Sequence, residues 1–206
     1  MNIKAVVFDY GGVIAFFQDD KAMEDMANLA GTDTALMKRI YWDNRSIYDQ
    51  GLVDGADFFK NILADAGVFA DPDLLERLIA RDMKSWSRVN PDSEKLIRDL
   101  KAAGLKIGIL SNIVTDFLVR IKKTLPVFDL VDTAVFSCDA GCVKPEAKIY
   151  RILLSKLGLE AEQCVFFDDL EINVKAAEAL GIKSFLWKNP AQARKELEAL
   201  GVLCPE

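Results

Sequence analysis

KAVVFDYGG (residues 4–12) is a short apolar run that ends at Asp9 and is followed by Gly11 and Gly12. Four consecutive apolar residues without polar alternation are typical of a strand buried on both faces of a parallel sheet. A carboxylate at the end of such a strand is costly unless it has a partner or a chemical task. The stretch therefore predicts a buried strand that carries Asp9 to one edge of a sheet, where the glycines let the backbone turn sharply.

Four further apolar runs follow along the chain, with helical segments between them. The runs are KIGIL (106–110), TAVFS (133–137), CVFF (164–167) and KSFLW (183–187). Proline in a first turn and glycine just past a last turn delimit helices from Pro91 to before Gly104, from near Pro145 to before Gly158, and from Pro190 to Gly201, and a further helix ends at Gly181. The repeating β-α order predicts an α/β fold with a doubly wound, Rossmann-like parallel sheet.

Residues 16–88 interrupt this order. They contain four segments with the apolar periodicity of amphipathic helices, DKAMEDMANLA, TALMKRIYWD, DGADFFKNILADAG and PDLLERLIARDMKSW. We therefore predict a core formed by residues 1–15 and 89–206, and an α-helical cap formed by residues 16–88. An insertion after the first strand lies over the edge where α/β sheets bind ligands.

Composition narrows the classes of partner. The 206 residues carry a formal net charge of −6, which repels nucleic-acid phosphates and anionic lipid. No apolar run approaches the roughly 20 residues of a membrane span, and the N-terminus lacks a signal-peptide pattern. We expect a cytoplasmic monomer or homodimer that binds neither nucleic acid nor membrane.

Histidine is absent from the chain, which excludes Ser-His-Asp triads, Cys-His nucleophiles and histidine-ligated metals. The four cysteines include no Cys-x-x-Cys pair, so reduced, unliganded thiols are favoured over a zinc or redox role for Cys138 and Cys142. Catalysis would depend on carboxylates, lysine, hydroxyls and an oxygen-liganded metal.

Polar side chains follow four of the five predicted strands. They are Asp9, Ser111 with Asn112, Lys144 in VKPEAKIY, and Asp168 with Asp169. Each alone is equally well explained as a helix cap or a surface residue. Because the carboxyl ends of parallel strands share one edge, the four together predict a single site.

The order and spacing of these motifs resemble those of the haloacid dehalogenase-like hydrolase superfamily, in the subgroup with an α-helical cap after the first strand. The resemblance implies a Mg²⁺-dependent phosphatase of small phosphorylated metabolites, including sugar phosphates. Asp9 would be the nucleophile that forms an aspartyl-phosphate. Ser111 and Asn112 would bind the phosphate oxygens, and Lys144 would neutralise them.

The same resemblance implies a metal site. Its ligands would be Asp9, Asp169 and the main-chain carbonyl of Gly11, with Asp168 as a further acid. Mg²⁺ prefers such hard oxygen ligands. Asn173 lies four residues after Asp169, on the same face of the next helix, so we expect its amide to orient Asp169.

Gly11 departs from the family pattern, which is Asp-x-Asp. The second acid of that pattern protonates the leaving oxygen, and general acid catalysis contributes roughly 10² to 10⁴ in rate. Tyr10 is a poor substitute because adjacent residues of an extended chain point to opposite sides. The sequence resembles an Asp-x-Gly branch of the family that includes sugar-phosphate phosphatases.

Two other functions stay open. A metal-independent haloacid dehalogenase also lacks the second acid, although the Asp168 and Asp169 pair favours a metal. A catalytically weakened phosphate-binding or scaffold protein is the other.

The predicted cap offers candidates for substrate contact, namely Phe16, Phe17, Trp42, Arg45 and Tyr48. Arg45 would suit a second anion. For each residue the simpler interpretation is stronger, because aromatic residues at helical spacing are more often core and a lone arginine is usually solvated.

Overall fold

A computed structural model describes residues 2–204, so the outermost ends of the predicted core, Met1 and residues 205–206, lie outside the described residues. Five parallel strands form one sheet in the order β3-β2-β1-β4-β5. They are β1 (Ala5–Phe8), β2 (Lys106–Ser111), β3 (Thr133–Phe136), β4 (Cys164–Asp168) and β5 (Lys183–Leu186). The α/β fold with a Rossmann-like parallel sheet is confirmed.

β1 is the central strand, and it is buried on both faces. Val6 and Phe8 belong to one apolar cluster, while Ala5 and Val7 belong to a second cluster on the opposite face. The Phe8 ring stacks on that of Phe167 in β4, with centroids 5.6 Å apart. This two-sided burial is the physical reason for the unbroken apolar run at the start of the sequence.

Helices connect the strands. They are α5 (Pro91–Ala102), α6 (Thr115–Thr124), α7 (Ser137–Ala140), α8 (Ala147–Leu157), α9 (Glu171–Glu178) and α10 (Pro190–Ala199). Short 3₁₀ turns cover Pro126–Leu130 and Ala161–Gln163. α6 was not predicted, and its first residue follows Val114, which gives no side-chain capping hydrogen bond. Ser137, predicted as the end of a strand, instead begins α7 and accepts a hydrogen bond from Ile113 N at 2.9 Å.

Four helices follow β1, and we call them the cap helices: α1 (Asp20–Ala30), α2 (Thr34–Asp49), α3 (Gly55–Asp65) and α4 (Pro72–Ser85). Each starts after an aspartate whose side chain accepts a main-chain hydrogen bond from the first turn, namely Asp19, Asp33, Asp54 and Asp71. Such caps pair main-chain N–H groups that the helix itself leaves unpaired. No helix within residues 2–204 is long and apolar enough to cross a membrane.

Hydrogen bonds hold the cap helices over the carboxyl ends of the strands. Gly55 N donates to Asp116 Oδ2 at 2.8 Å, which joins the start of α3 to the first turn of α6. Ser137 Oγ donates to the carbonyl of Asp49 at the end of α2. A cavity of about 130 Å³ lies between these helices and the sheet edge that carries Asp9.

Candidate active site

Lys144 links two carboxylates at the bottom of this cavity. Its Nζ lies 2.9 Å from Asp9 Oδ1 and 2.6 Å from Asp168 Oδ2. All three side chains are buried, so the ion pairs compensate charges that would otherwise be costly to remove from water. Burial lowers the pKa of Lys144, but the two carboxylates raise it by more, so that the pKa lies above its ordinary value. The ammonium ion therefore stays charged.

Asn112 fixes the chain at Lys144. Its Nδ2 donates to the Lys144 carbonyl at 3.0 Å, and its Oδ1 accepts from Lys144 N at 2.8 Å. The side chain is thus occupied in positioning Lys144, and a contact between Asn112 and substrate remains a prediction. Ser111, the last residue of β2, is buried and lines the cavity beside Asp9 and Lys144.

Asp168 has hydrogen-bond partners on both oxygens. Oδ2 accepts from Lys144, and Oδ1 accepts from Leu170 N and from Asn173 Nδ2, both at 2.9 Å. The predicted pairing of Asn173 with Asp169 is wrong. Asp168 is the last residue of β4, and the chain turns there so that the start of α9 faces its carboxylate.

Asp169 comes close to the glycines after β1. Gly12 has φ +76°, a left-handed conformation that favours glycine, and a Cβ there would lie 2.6 Å from Asp169 Oδ2. Gly11 does not have a positive φ, but a Cβ on it would lie 3.0 Å from Cζ3 of Trp86. Trp86 is the residue after α4, and its ring limits the space beside Gly11.

Three carboxylates form one cluster, because ligand oxygens of Asp9, Asp168 and Asp169 lie within 4.8 Å of one another. Burial raises the pKa of Asp9 to about 7, with further increases from Asp168 and Asp169 and an opposing effect of Lys144. Burial and the neighbouring Asp168 raise the pKa of Asp169 to about 6. The three carboxylates carry more negative charge than Lys144 alone compensates. Such a set of hard oxygen donors fits a divalent cation.

Comparison with known proteins identifies the family of this chain. The family profile described as haloacid dehalogenase-like hydrolase matches residues 3–181. The chain belongs to this family. Phosphatase MT3486 from Mycobacterium tuberculosis is 27% identical, over 98% of this chain and 97% of that protein.

Solved structures of the haloacid dehalogenase-like family share the fold. The HAD family enzyme BT-2542 from Bacteroides thetaiotaomicron, in complex with magnesium and inorganic phosphate, has a TM-score of 0.77 at 22% identity, covering 90% of this chain and 94% of that one. L-2-haloacid dehalogenase from Xanthobacter autotrophicus has a TM-score of 0.67 at 22% identity, covering 95% and 83%.

The cap side of the cavity is mostly aromatic. Phe17, Trp42 and Trp86 line it, together with Arg45 and Asp49. Two of the cap candidates are not lining residues: Phe16 lies under the Arg88 guanidinium, 4.7 Å from ring centroid to Cζ, and Tyr48 stacks on Phe58 at 4.3 Å. Trp86 and Asp49 also line the cavity but were not among the predicted cap candidates, and only the packing of the helices brings them to it.

The Arg45 side chain is only 12% exposed rather than solvated, contrary to the sequence-based expectation. Its Nε donates to Asp49 Oδ1 at 2.8 Å, and its Nη1 donates to the Tyr41 hydroxyl and lies 4.0 Å from Asp82 Oδ2. The guanidinium also lies 5.5 Å from the Trp86 ring centroid. Asp82 belongs to α4, so only the tertiary packing of the cap helices shows that Arg45 has a partner there.

Neither the Tyr10 hydroxyl nor the cysteines take part in the carboxylate cluster, although Tyr10 N donates to Asp9 Oδ1 at 2.6 Å. The Tyr10 hydroxyl donates to the Trp86 carbonyl at 3.0 Å, and burial raises its pKa above the ordinary value. It is therefore committed to a structural hydrogen bond. None of the four cysteines forms a disulfide bond.

We expect Gly12→Ala to weaken Mg²⁺ binding at least about tenfold, because the added methyl group displaces Asp169. Gly31→Ala is the matched control, since Gly31 has a similar φ of +64° but open space around a Cβ. The left-handed conformation should cost both variants about 1–2 kcal/mol of unfolding free energy. Urea unfolding and calorimetric Mg²⁺ titration measure the two effects, and equal Mg²⁺ affinity in both variants would refute the Gly12–Asp169 constraint.

Without divalent cations, thermal stability should fall as the pH rises from about 5 to about 7.5. Asp9 and Asp169 have pKa values of about 7 and 6 in the folded protein against 3.8 ordinarily, so the folded state holds extra protons that it loses across this range. The melting temperature in chelator measures the slope. Asp169→Asn should reduce it, and an unchanged slope in that variant would contradict the assignment.

Proposed function

We propose that this hydrolase is a Mg²⁺-dependent phosphatase that cleaves small phosphate monoesters through an aspartyl-phosphate on Asp9. The observation that carries the proposal is the position of the buried Asp9 carboxylate. It lies 2.9 Å from Lys144 Nζ, and its oxygen is close enough to that of Asp169 for both to bind one metal ion. A nucleophilic carboxylate, a fixed cation and a second acid are what phosphoryl transfer needs for positioning and charge neutralisation. The similarity to phosphatase MT3486 supports it.

The proposed metal ligands are Asp9, Asp169 and the main-chain carbonyl of Gly11. Asp168 lies in the same cluster, but its oxygens already accept from Lys144, Leu170 N and Asn173, so we assign it to positioning Lys144. When bound, Mg²⁺ supplies positive charge that offsets the repulsion between the carboxylates and the phosphoryl oxygens.

In the first proposed step, an oxygen of Asp9 attacks phosphorus and the bond to the leaving oxygen breaks. Lys144 neutralises the phosphoryl oxygens, and the Ser111 hydroxyl and the main-chain amides after β2 donate to them. In the second step, water attacks phosphorus, the bond to Asp9 breaks, and inorganic phosphate leaves. No side chain at position 10 or 11 protonates the leaving oxygen in the first step. Gly11 has no side chain, and the Tyr10 hydroxyl donates its hydrogen bond to the Trp86 carbonyl.

We propose that residues 16–88 act as a cap unit and that residues 1–15 and 89–206 carry the reacting groups.

Two alternative functions are less well supported. A haloacid dehalogenase would bring a carboxylate substrate and a halide leaving group beside three clustered acids. A catalytically weakened phosphate-binding or scaffold protein would use Lys144 to bind phosphate but would not need the carboxylates of Asp9 and Asp169 beside it.

Asp9→Asn should abolish phosphate release, because an amide oxygen is too weak a nucleophile to form the phosphoryl-enzyme. Chelation of divalent ions should abolish it equally, and Mg²⁺ should restore it. The exposed Asp57→Asn is the control and should retain the wild-type rate. Phosphate release from a panel of monoesters measures the outcome, and turnover that survives either treatment would refute the proposed mechanism.

The rate should depend steeply on the leaving group, because no acid at position 11 protonates it. We expect acyl and aryl phosphates to exceed simple alkyl phosphates by about 10² or more in kcat/KM. Gly11→Asp should not rescue alkyl esters, since its Cβ would meet the Trp86 ring at 3.0 Å. A flat plot of log kcat/KM against leaving-group pKa would show that another residue donates the proton.

A further inference from the structure

Resting on the proposed function, we further propose that the preferred substrates are aryl phosphate monoesters, whose single aromatic ring is held by Phe17, Trp42 and Trp86. These three rings line the cavity that contains Asp9 and Lys144. A phosphate monoester bound with its phosphorus at Asp9 would therefore have its leaving group in the same cavity as these rings. The identity of these residues, rather than the presence of a cap, determines the substrate class.

The three residues form one contiguous cluster. The Phe17 ring stacks on Trp42 with centroids 5.9 Å apart and an interplanar angle of 15°, and it meets the edge of Trp86 at 5.2 Å and 79°. The Trp42 and Trp86 centroids are 6.5 Å apart, at 87°. Offset and edge-to-face arrangements of this kind are the ones that aromatic rings prefer, so a further flat ring can join the cluster.

The cluster leaves apolar surface exposed at the cavity mouth. Phe17 is 51% exposed and Trp42 is 38% exposed, and Leu170, on the opposite side after β4, is 53% exposed. Large apolar side chains that converge on one cavity mark a ligand site, since a bound apolar group removes their surface from water.

Charge on the cap side disfavours a second anion. The polar lining residues there are Arg45 and Asp49, which pair at 2.8 Å, and Asp82 adds a second carboxylate 4.0 Å from Arg45. An anionic or strongly hydrated leaving group would have to break this pair or approach Asp49. An uncharged ring needs no such exchange.

The chemistry at Gly11 points to the same class. A phenol has an ordinary pKa of about 10, as in tyrosine, whereas bulk water, which approximates a simple alcohol, is near 15.7. A phenolate therefore leaves phosphorus without a proton donor far more readily than an alkoxide does. The ester bond breaks with its electron pair on the phenolate oxygen, which takes a proton from water after release.

Binding of non-hydrolysable phosphonates separates ring recognition from leaving-group chemistry. Benzylphosphonate matches phenyl phosphate with CH₂ in place of the ester oxygen, and ethylphosphonate keeps the phosphonate without the ring. With Mg²⁺ present, we expect benzylphosphonate to bind the wild-type protein at least about tenfold more tightly in calorimetry.

Trp42→Ala and, as an independent variant, Phe17→Leu should each reduce that advantage about fivefold or more, with ethylphosphonate binding unchanged. Phe69→Ala is the matched control, because Phe69 is an 85% exposed aromatic residue that does not line the cavity. Equal binding of the two phosphonates to the wild type would overturn the aryl proposal alone. Failure of ethylphosphonate itself to bind with Mg²⁺ would instead count against the phosphatase function.

Discussion

The buried ammonium group of Lys144, shared between Asp9 and Asp168, is the interaction on which the site depends. Its distances of 2.9 and 2.6 Å require the ends of β1 and β4 and the segment before α8 to meet at one point. Buried charges are tolerated only with such partners. The surrounding hydrogen bonds serve this arrangement, since Asn112 holds the Lys144 main chain and Asn173 holds Asp168.

One lysine does not compensate three clustered acids. Burial and the neighbouring carboxylates raise the pKa values of Asp9 and Asp169, and the three clustered acids would suit a divalent cation. Gly12 permits this crowding because it has no side chain to collide with Asp169. On the cap side, the Arg45 and Asp49 pair leaves little unpaired charge, so polar chemistry is confined to the sheet edge and the opposite wall is aromatic.

The sheet and the convergence of its polar ends were predictable, because buried parallel strands are written as unbroken apolar runs and their carboxyl ends share an edge. The hydrogen-bond partner of Asn173 was not predictable from the sequence. Helical spacing placed it with Asp169, but the turn after β4 presents Asp168 to α9. The contacts of Trp86 with Gly11 and of Asp82 with Arg45 could not be predicted either. They join residues far apart in the chain, and no local sequence pattern encodes them.

Trapping the phosphoryl-enzyme tests most directly whether Asp9 is the nucleophile. The protein with Mg²⁺ is mixed with limiting aryl phosphate, quenched in acid within one turnover, digested and analysed by mass spectrometry. We expect a transient phosphoryl group on the peptide that contains Asp9, at Asp9 itself, and it should decay as inorganic phosphate appears. Full turnover with every Asp9 peptide unmodified, or a phosphoryl group on another residue, would contradict it.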